Sequence, residues 1–530
     1  MTTGHQTKTP GDSGAGAPPD KRSSRGKVRT MAALAGIVAA ARQEGRAVVL
    51  AHGVFDLLHL GHVRHLEEAR GHGDMLVVTV TADRFVNKGP GRPVFSEQLR
   101  AQMLAALEHV DYVAVNEAPT AVTVLETIRP SVYVKGSDYA NAEEDVTGGI
   151  VDERLAVERH GGRLAFTDDI TFSSSQLINR YLGVYDSELH AYLEDAREKD
   201  LLPRLLKLLE QVRDYRVLLV GDAIIDEYRY VAPMAKAPKE NIIATLYRDH
   251  EVFAGGIAAA ANHVAAFCRQ VDFITCLGER NGEEDLIRAS LKPNVAMRSI
   301  TRRGKPTTRK TRFVDPGYMR KLFEVYDMDD APLDADEEAR LVDLLEETAG
   351  DYDLVIVTDF GHGMITDAVV KTLCERAKFL AVNTQTNSAN LGYNLITRYP
   401  RADYICIDAP EARLAVADKF SDIAIIASQT LPGRVQCPRL IITHGKHGCV
   451  THDQAVGAHR IPAFTNTVVD TVGAGDAFLA VTSPLAAAGG DLDLVGFIGN
   501  AAGAMKVGIV GHRRSIEKAS LIKFVTAILK

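Results

Sequence analysis

His52-Gly53-Val54-Phe55-Asp56-Leu57-Leu58-His59-Leu60-Gly61-His62 follows the apolar run Ala47-Val48-Val49-Leu50-Ala51 and leads into a helical pattern. The order reads as strand, tight loop, helix. Residues three apart at the mouth of a helix share a face, so His59 and His62 look the same way, and the N–H groups of a first helical turn already favour an anion. Two imidazoles beside a nucleotide α-phosphate stabilise the charge that develops on in-line attack, with no covalent intermediate required. The stretch therefore predicts nucleotidyl transfer. A lone histidine at a helix start is usually a satisfied structural residue; the spacing, the glycines and the preceding strand set this pair apart.

Working outward, helical and extended patterns alternate: helix to 69, strand 75–81, helix 96–107, strand 112–115, helix 120–128 and strand 132–135. Alternation of this kind predicts a parallel, doubly wound sheet whose ligands gather at the carboxyl ends of the strands. His52 and His59 follow the first strand, Lys88 and Arg92 the second, and Lys135-Gly136-Ser137-Asp138-Tyr139 a later one. Lys88 and Arg92 flank Gly89-Pro90-Gly91, a loop expected to close positive charge over a triphosphate. Ser173, Ser174 and Ser175 precede a helical stretch, where serines cap the helix and offer hydroxyls and N–H groups to phosphate.

A second α/β unit opens at residues 216–220, followed by Gly221-Asp222-Ala223-Ile224-Ile225-Asp226, two aspartates placed to recognise hydroxyls. It continues through Gly255-Gly256, a strand ending in Asp359 and a strand running into Thr443-His444-Gly445. It then reaches Asp470-Thr471-Val472-Gly473-Ala474-Gly475-Asp476. Backbone N–H groups of Gly473, Ala474 and Gly475 at a helix start cradle a transferring phosphoryl group, while Asp476 accepts the proton of the attacking hydroxyl.

The 530 residues, 46% hydrophobic and 25% charged, exceed one core and predict at least two domains. A net charge of −8 argues against nucleic acid as the main partner. Six scattered cysteines without a Cys-x-x-Cys pair suggest free buried thiols. The apolar stretch 494–510 is interrupted by Asn500 and Lys506, and no signal-peptide core opens the chain, so a cytoplasmic protein is expected. The expected organisation is a disordered tail over 1–28, a first domain over 29–183, a helical connector over 184–213 with no glycine, and a second domain over 214–530.

The histidine stretch resembles the His-x-Gly-His signature of the cytidylyltransferase-like nucleotidyltransferases, and Arg92-Pro93-Val94 through Arg100, residues 134–139 and 172–175 follow in that family's order. The similarity is greatest to the transferase half of bifunctional heptose kinase/nucleotidyltransferases. Gly-Ala-Gly-Asp at 473–476, with the Gly-Asp-x-x-x-Asp opening and Gly255-Gly256, resembles the ribokinase-like (PfkB) carbohydrate kinases over about 214–530. The fold class implied is α/β: an N-terminal Rossmann-like nucleotidyltransferase domain plus a C-terminal ribokinase-like α/β/α domain. These resemblances imply His59, His62, Lys88 and Asp476 as catalytic. They imply nucleotide contacts from Gly53, Val54, Phe55, Lys135, Gly136, Asp138, Ser173, Ser174, Ser175, Thr443, Gly445, Gly473, Ala474 and Gly475. Substrate contacts fall to Asp56, Arg92, Asp222, Asp226, Gly255 and Gly256, and Glu411 is the implied metal residue. The implied cofactors are Mg2+, ATP in the kinase domain, and CTP or ATP in the transferase domain. The implied partners are a small-molecule sugar phosphate and an NTP, with no nucleic acid, no membrane and a homo-oligomeric assembly.

Departures cluster in the sugar-reading positions. Ala259 stands where the kinase family places an Asn, His362 where heptose kinases have Lys, and Asn383-Thr384-Gln385 where relatives read Asp-Pro-Lys. Asp408-Ala409-Pro410-Glu411 replaces Asn-x-x-Glu, and His52 replaces an Asn or small residue of the transferases. Two readings stay open. One is a bifunctional enzyme that phosphorylates a sugar phosphate and then couples the sugar 1-phosphate to a nucleotide. The other is a monofunctional nucleotidyltransferase, acting on a sugar, polyol or amino alcohol phosphate, whose kinase-like half is regulatory or dimer-forming.

Overall fold

The computed structural model describes residues 24–89, 91–136, 149–167, 178–179, 185–237, 239–465 and 467–530. The expected sites Asp138, Ser173, Ser174 and Ser175, and residues 1–23 of the expected tail, lie outside the described residues. The described chain divides into two compact units: residues up to Val86 with Arg92–Ile178, and Asn87–Gly91 with Asn179–Lys530. Ser24–Lys27 form a helical turn and Val28 bridges to Val113, so the described end of the stretch expected to be disordered is ordered. Lys27 Nζ donates to Leu107 O at 3.1 Å, which ties this turn to the unit.

The first unit carries strands β1 (Val48–Gly53), β2 (Met75–Thr81), β3 (Tyr112–Asn116), β4 (Val132–Gly136) and β5 (Arg163–Thr167). They form one sheet in the order β3-β2-β1-β4-β5, with every pair parallel. Side chains of a strand alternate between faces. Val49 and Ala51 of β1 therefore pack with Leu66 and Leu104 in one core, and Val48 and Leu50 with Leu34 and Val38 in the other. The strand order reverses between β1 and β4, and a ligand crevice is expected beyond the carboxyl ends of those two strands.

The second unit holds β6 (Arg216–Gly221), β7 (Ala223–Lys236), β8 (Ile243–Gly255), β9 (Gln270–Arg280), β10 (Val295–Pro306), β11 (Thr308–Asp315), β12 (Arg320–Asp327), β13 (Leu354–Asp359), β14 (Leu380–Thr384), β15 (Tyr404–Asp408), β16 (Arg439–Thr443), β17 (Cys449–Asp453) and β18 (Gly457–Ile461). A nine-stranded sheet runs β10-β9-β6-β13-β14-β15-β16-β17-β18, parallel as far as β16 and antiparallel beyond it. Val217 and Leu219 of β6 face one core while Leu218 and Val220 face the other, so helices cover both sides. A separate four-stranded sheet, β12-β11-β7-β8, leaves the main sheet at Asp222. Helices Ser187–Glu198 and Leu201–Gln211 bury Leu189, Leu193, Leu205 and Leu208 in the core of this unit. All six cysteines are free; five are buried, and Cys374 is only half-buried, short of the expectation for it.

Candidate functional sites

In the first unit, β1 ends in His52 and Gly53, and the helix Leu60–Arg70 starts after His59, its N-cap. The rings of His59 and His62 lie 4.0 Å apart between centroids, and Phe55 meets His62 edge-on at 5.3 Å. Phe55 has φ 49°, the left-handed turn that lets the chain swing from strand to helix. A Cβ on Gly53 would come 3.1 Å from the Phe55 ring. His52 is held by β2, its Nδ1 2.9 Å from Thr79 Oγ1. The two imidazoles expected to act on phosphate are thus adjacent.

Asp56 and Arg92, expected to touch substrate, are joined to each other instead. Asp56 accepts from Arg92 Nε and, at 2.6 Å, from Val94 N, with both side chains fully buried. Both terminal nitrogens of Arg92 are buried and lack a hydrogen-bond partner among the described residues. Arg100 is a residue to which sequence reasoning gave no role. Its buried guanidinium donates to Phe95 O at 2.9 Å and to Thr81 O at 2.8 Å, and it also reaches Val54 O and the Asp83 carboxylate at 2.5 Å each, so it fixes the ends of β1 and β2 together. Lys135, at the end of β4, is paired with Glu153 at 2.8 Å, and Gly136 closes that strand. Lys88 lies in Asn87–Gly91, the segment that belongs to the second unit.

In the second unit, Asp222 sits where β6 passes to β7, buried, accepting from Phe360 N at 3.1 Å and His362 N at 3.4 Å. Burial, with the charge of Asp359 adding to it, pushes its carboxyl up to about 7. Asp226, four residues on, is occupied on both oxygens: Arg312 from β11 binds Oδ1, and His512 Nε2 lies 3.1 Å from Oδ2. Burial alone would raise this carboxyl, but the His512 hydrogen bond and the Arg312 charge hold it well below the usual range. The glycine pair is explained by these aspartates. A Cβ on Gly255 would fall 1.9 Å from Asp226 Oδ2, and one on Gly256 2.7 Å from Asp222 O.

The helix Ala474–Ala487 starts after Gly473, whose φ of 74° suits glycine. Ala474 N donates back to Thr471 O at 3.2 Å and Ala477 N to Gly473 O, which leaves the N–H groups of Gly475 and Asp476 for an anion. Buried Asp476 accepts from Gln385 Nε2 at 2.7 Å, and burial raises its carboxyl, opposed by His512 and by that hydrogen bond. The loop is clamped from outside. Lys506 Nζ donates to Val472 O and Gly511 O, and Asp470 accepts from Tyr228, Lys321, Val472 N and Gly511 N. Thr443 Oγ1 reaches Ile407 O at 3.5 Å, and Gly445 turns the chain after β16.

Glu411 spends its oxygens on backbone: one accepts from Asp408 N at 2.8 Å and the other from Thr386 N at 2.9 Å. Burial and the neighbouring Asp408 raise its carboxyl. Among the described residues no three His, Cys, Asp or Glu cluster to hold a metal. With both oxygens on backbone N–H groups and its carboxyl raised, Glu411 does not fit the expected role of a free carboxylate ligand for Mg2+.

The chain thus holds two α/β units, one presenting paired histidines where a strand passes to a helix and the other a glycine-started helix beside a buried aspartate. The chain belongs to the pfkB family of carbohydrate kinases, whose model matches residues 215–519, and residues 50–180 match the cytidylyltransferase-like model. The bifunctional protein HldE of Geobacter sulfurreducens is 41% identical over 167 residues, covering 31% of this chain and 32% of that protein. That of Syntrophotalea carbinolica is 40% identical over 163 residues, covering 30% and 32%. The chain thus spans about a third of the length of the curated relatives it matches. Among solved structures, phosphofructokinase-2 from Escherichia coli in complex with potassium superposes with a TM-score of 0.49 at 15% identity, covering 59% of this chain and 99% of that one. No described helix is long and apolar enough to cross a membrane.

Proposed function

We propose that the chain is a bifunctional sugar-activating enzyme. Its second unit transfers the γ-phosphoryl group of ATP to a heptose-like sugar phosphate. Its first unit joins the resulting sugar 1-phosphate to the nucleotidyl group of CTP or ATP, releasing pyrophosphate. The observation that carries this reading is the buried Asp476 in the first turn after Gly473-Ala474-Gly475, oriented by Gln385. There the carboxylate accepts the proton of the attacking hydroxyl while Gly475 and Asp476 N–H groups hold the phosphoryl oxygens. In the first unit, His59 and His62 face the α-phosphate as the sugar phosphate attacks it, and Arg92, anchored by Asp56, turns its terminal nitrogens toward the anionic substrates. Mg2+ would arrive with each nucleotide and, when bound, would neutralise polyphosphate charge.

The proposed domains keep the boundaries 29–183 and 214–530, joined through 184–213. We place the enzyme in the cytoplasm, beside its small charged substrates. A second copy of the chain is the proposed cover for the four-stranded sheet, which exposes Met234, Ile243, Tyr247, Phe323 and Val325. One observation favours the monofunctional alternative: Asp226, a proposed sugar-binding residue, already has both oxygens engaged. Paired variants separate the two. His59→Ala or His62→Ala is expected to abolish pyrophosphate release while ADP formation continues. Asp476→Asn is expected to keep ATP binding by calorimetry and lose substrate-dependent ADP formation. An Asp476→Asn protein that turns over ATP at the wild-type rate removes the base from the mechanism.

A further inference from the structure

One buried side chain in the second unit, His512, is marked by neither spacing nor composition. His512 follows Gly511, whose N–H donates to Asp470 Oδ2 at 2.8 Å and whose carbonyl accepts from the buried Lys506 ammonium at 2.8 Å. The same lysine holds Val472 O, and the same aspartate accepts from Val472 N, so the loop carrying His512 is bolted to the loop that opens the glycine cradle. The imidazole is 6% exposed. Its Nε2 lies 3.1 Å from Asp226 Oδ2, and Asp226 is itself pinned by Arg312 on the other oxygen.

The ring's other nitrogen is what needs an account. His512 Nδ1 is buried with no hydrogen-bond partner among the described residues, an expensive condition for a polar atom. It lies over the cradle: a Cβ placed on Gly473 would be 2.6 Å from His512 Cε1 and 3.2 Å from Nδ1. Only a residue without a side chain allows the imidazole to approach the start of the helix so closely. The same absence of a side chain at Gly255 lets Asp226 reach the ring. Two glycines are therefore spent on seating one histidine, and its unpaired nitrogen faces the place where a phosphoryl group would rest.

We propose that His512 is a further catalytic residue of the second unit, an Asp226-held imidazole whose Nδ1–H donates to a non-bridging oxygen of the transferring phosphoryl group. The inference rests on the kinase reading of this unit. In the step, the bond between the γ-phosphorus and the β–γ bridging oxygen breaks and its electron pair leaves with ADP. A new bond forms from the acceptor oxygen to phosphorus, and the acceptor proton passes to Asp476. His512 bonds from both ring nitrogens, to Asp226 on one side and to the phosphoryl oxygen on the other, and is unchanged at the end. Asp226 thereby becomes a positioning residue for the histidine, which accounts for the engagement of both its oxygens.

The test is calorimetric, on the full chain, and compares MgADP with MgADP plus aluminium fluoride, which mimics the planar phosphoryl group in transfer. Wild-type protein is expected to bind the fluoride complex more tightly than MgADP. His512→Ala is expected to leave MgADP affinity within about twofold and to lose roughly 10²-fold of the fluoride-dependent gain, the loss typical of one oxyanion donor. His512→Gln, which keeps an amide donor and the shape near Asp226, is expected to recover part of it and guards against a variant that misfolds. A fluoride-dependent gain that is the same in wild type, His512→Ala and His512→Gln overturns the role of His512 and leaves the kinase reading standing. A wild-type chain with no fluoride-dependent gain at all overturns both.

Discussion

Removing the Asp56 carboxylate tests how the first site is built. Asp56 and Arg92 are fully buried side chains that face each other, and Asp56 also receives Val94 N at 2.6 Å. A buried ion pair is weak evidence of net stability, because desolvation offsets the attraction, yet removing one partner leaves an uncompensated buried charge that costs about 3–5 kcal/mol. Asp56→Ala does this to Arg92, whose terminal nitrogens already have no hydrogen-bond partner among the described residues. For a unit of this size each kcal/mol shifts the midpoint by roughly 2–4 °C, so the transition of the first unit is expected to fall by about 6–20 °C. Differential scanning calorimetry of the full chain reads this as one of two transitions moving while the other stays. Asp56→Asn, which still accepts from Val94 N, is expected to lose less than Asp56→Ala. An Asp56→Ala chain whose transitions both stay within a degree of wild type would falsify the anchoring role.

Arg100→Met is expected to destabilise the same unit by about 2–5 kcal/mol, because it strips donors from Val54 O, Thr81 O and Phe95 O at buried strand ends; urea unfolding followed by circular dichroism checks it. The Asp222 carboxyl, raised from 3.8 to about 7 in the folded chain, stabilises the fold below its unfolded value, and that contribution is lost as pH rises toward 7. The second unit's midpoint is therefore expected to fall between about pH 4 and 7 for this group and level off above it, and Asp222→Asn to flatten that slope in calorimetry across the range. A variant with the same slope as wild type sets Asp222 aside as its source.

The elements that sequence made visible are those governed by period and punctuation. The strand expected at 75–81 is β2 to the residue, and the helix expected over 96–107 is Glu97–Ala105, trimmed at both ends where capping is local. The histidine pair was legible because three-residue spacing survives folding intact. The four-stranded sheet was not, and β11 explains why. Thr308, Lys310, Arg312 and Val314 point inward along it, so its buried face carries two cations that a sequence presents as surface. Arg312 is buried because Asp226, far away in the chain, neutralises it. His512 was hidden for the same reason: its setting is assembled by Asp226, Lys506, Asp470 and Gly473, none of which is in local register with it. Asp56 misled in the opposite direction, since its place in a motif suggested a ligand while its oxygens are committed to Arg92 and Val94.

The most direct measurement follows pyrophosphate and ADP separately while the purified chain is offered a panel of sugar phosphates with each NTP and Mg2+. The account predicts ADP from ATP with a heptose-like sugar phosphate, and pyrophosphate from CTP or ATP once the sugar 1-phosphate is present or has been made. Pyrophosphate release with supplied sugar 1-phosphates, and no ADP with any member of the panel, would contradict it and leave the second unit without a catalytic role.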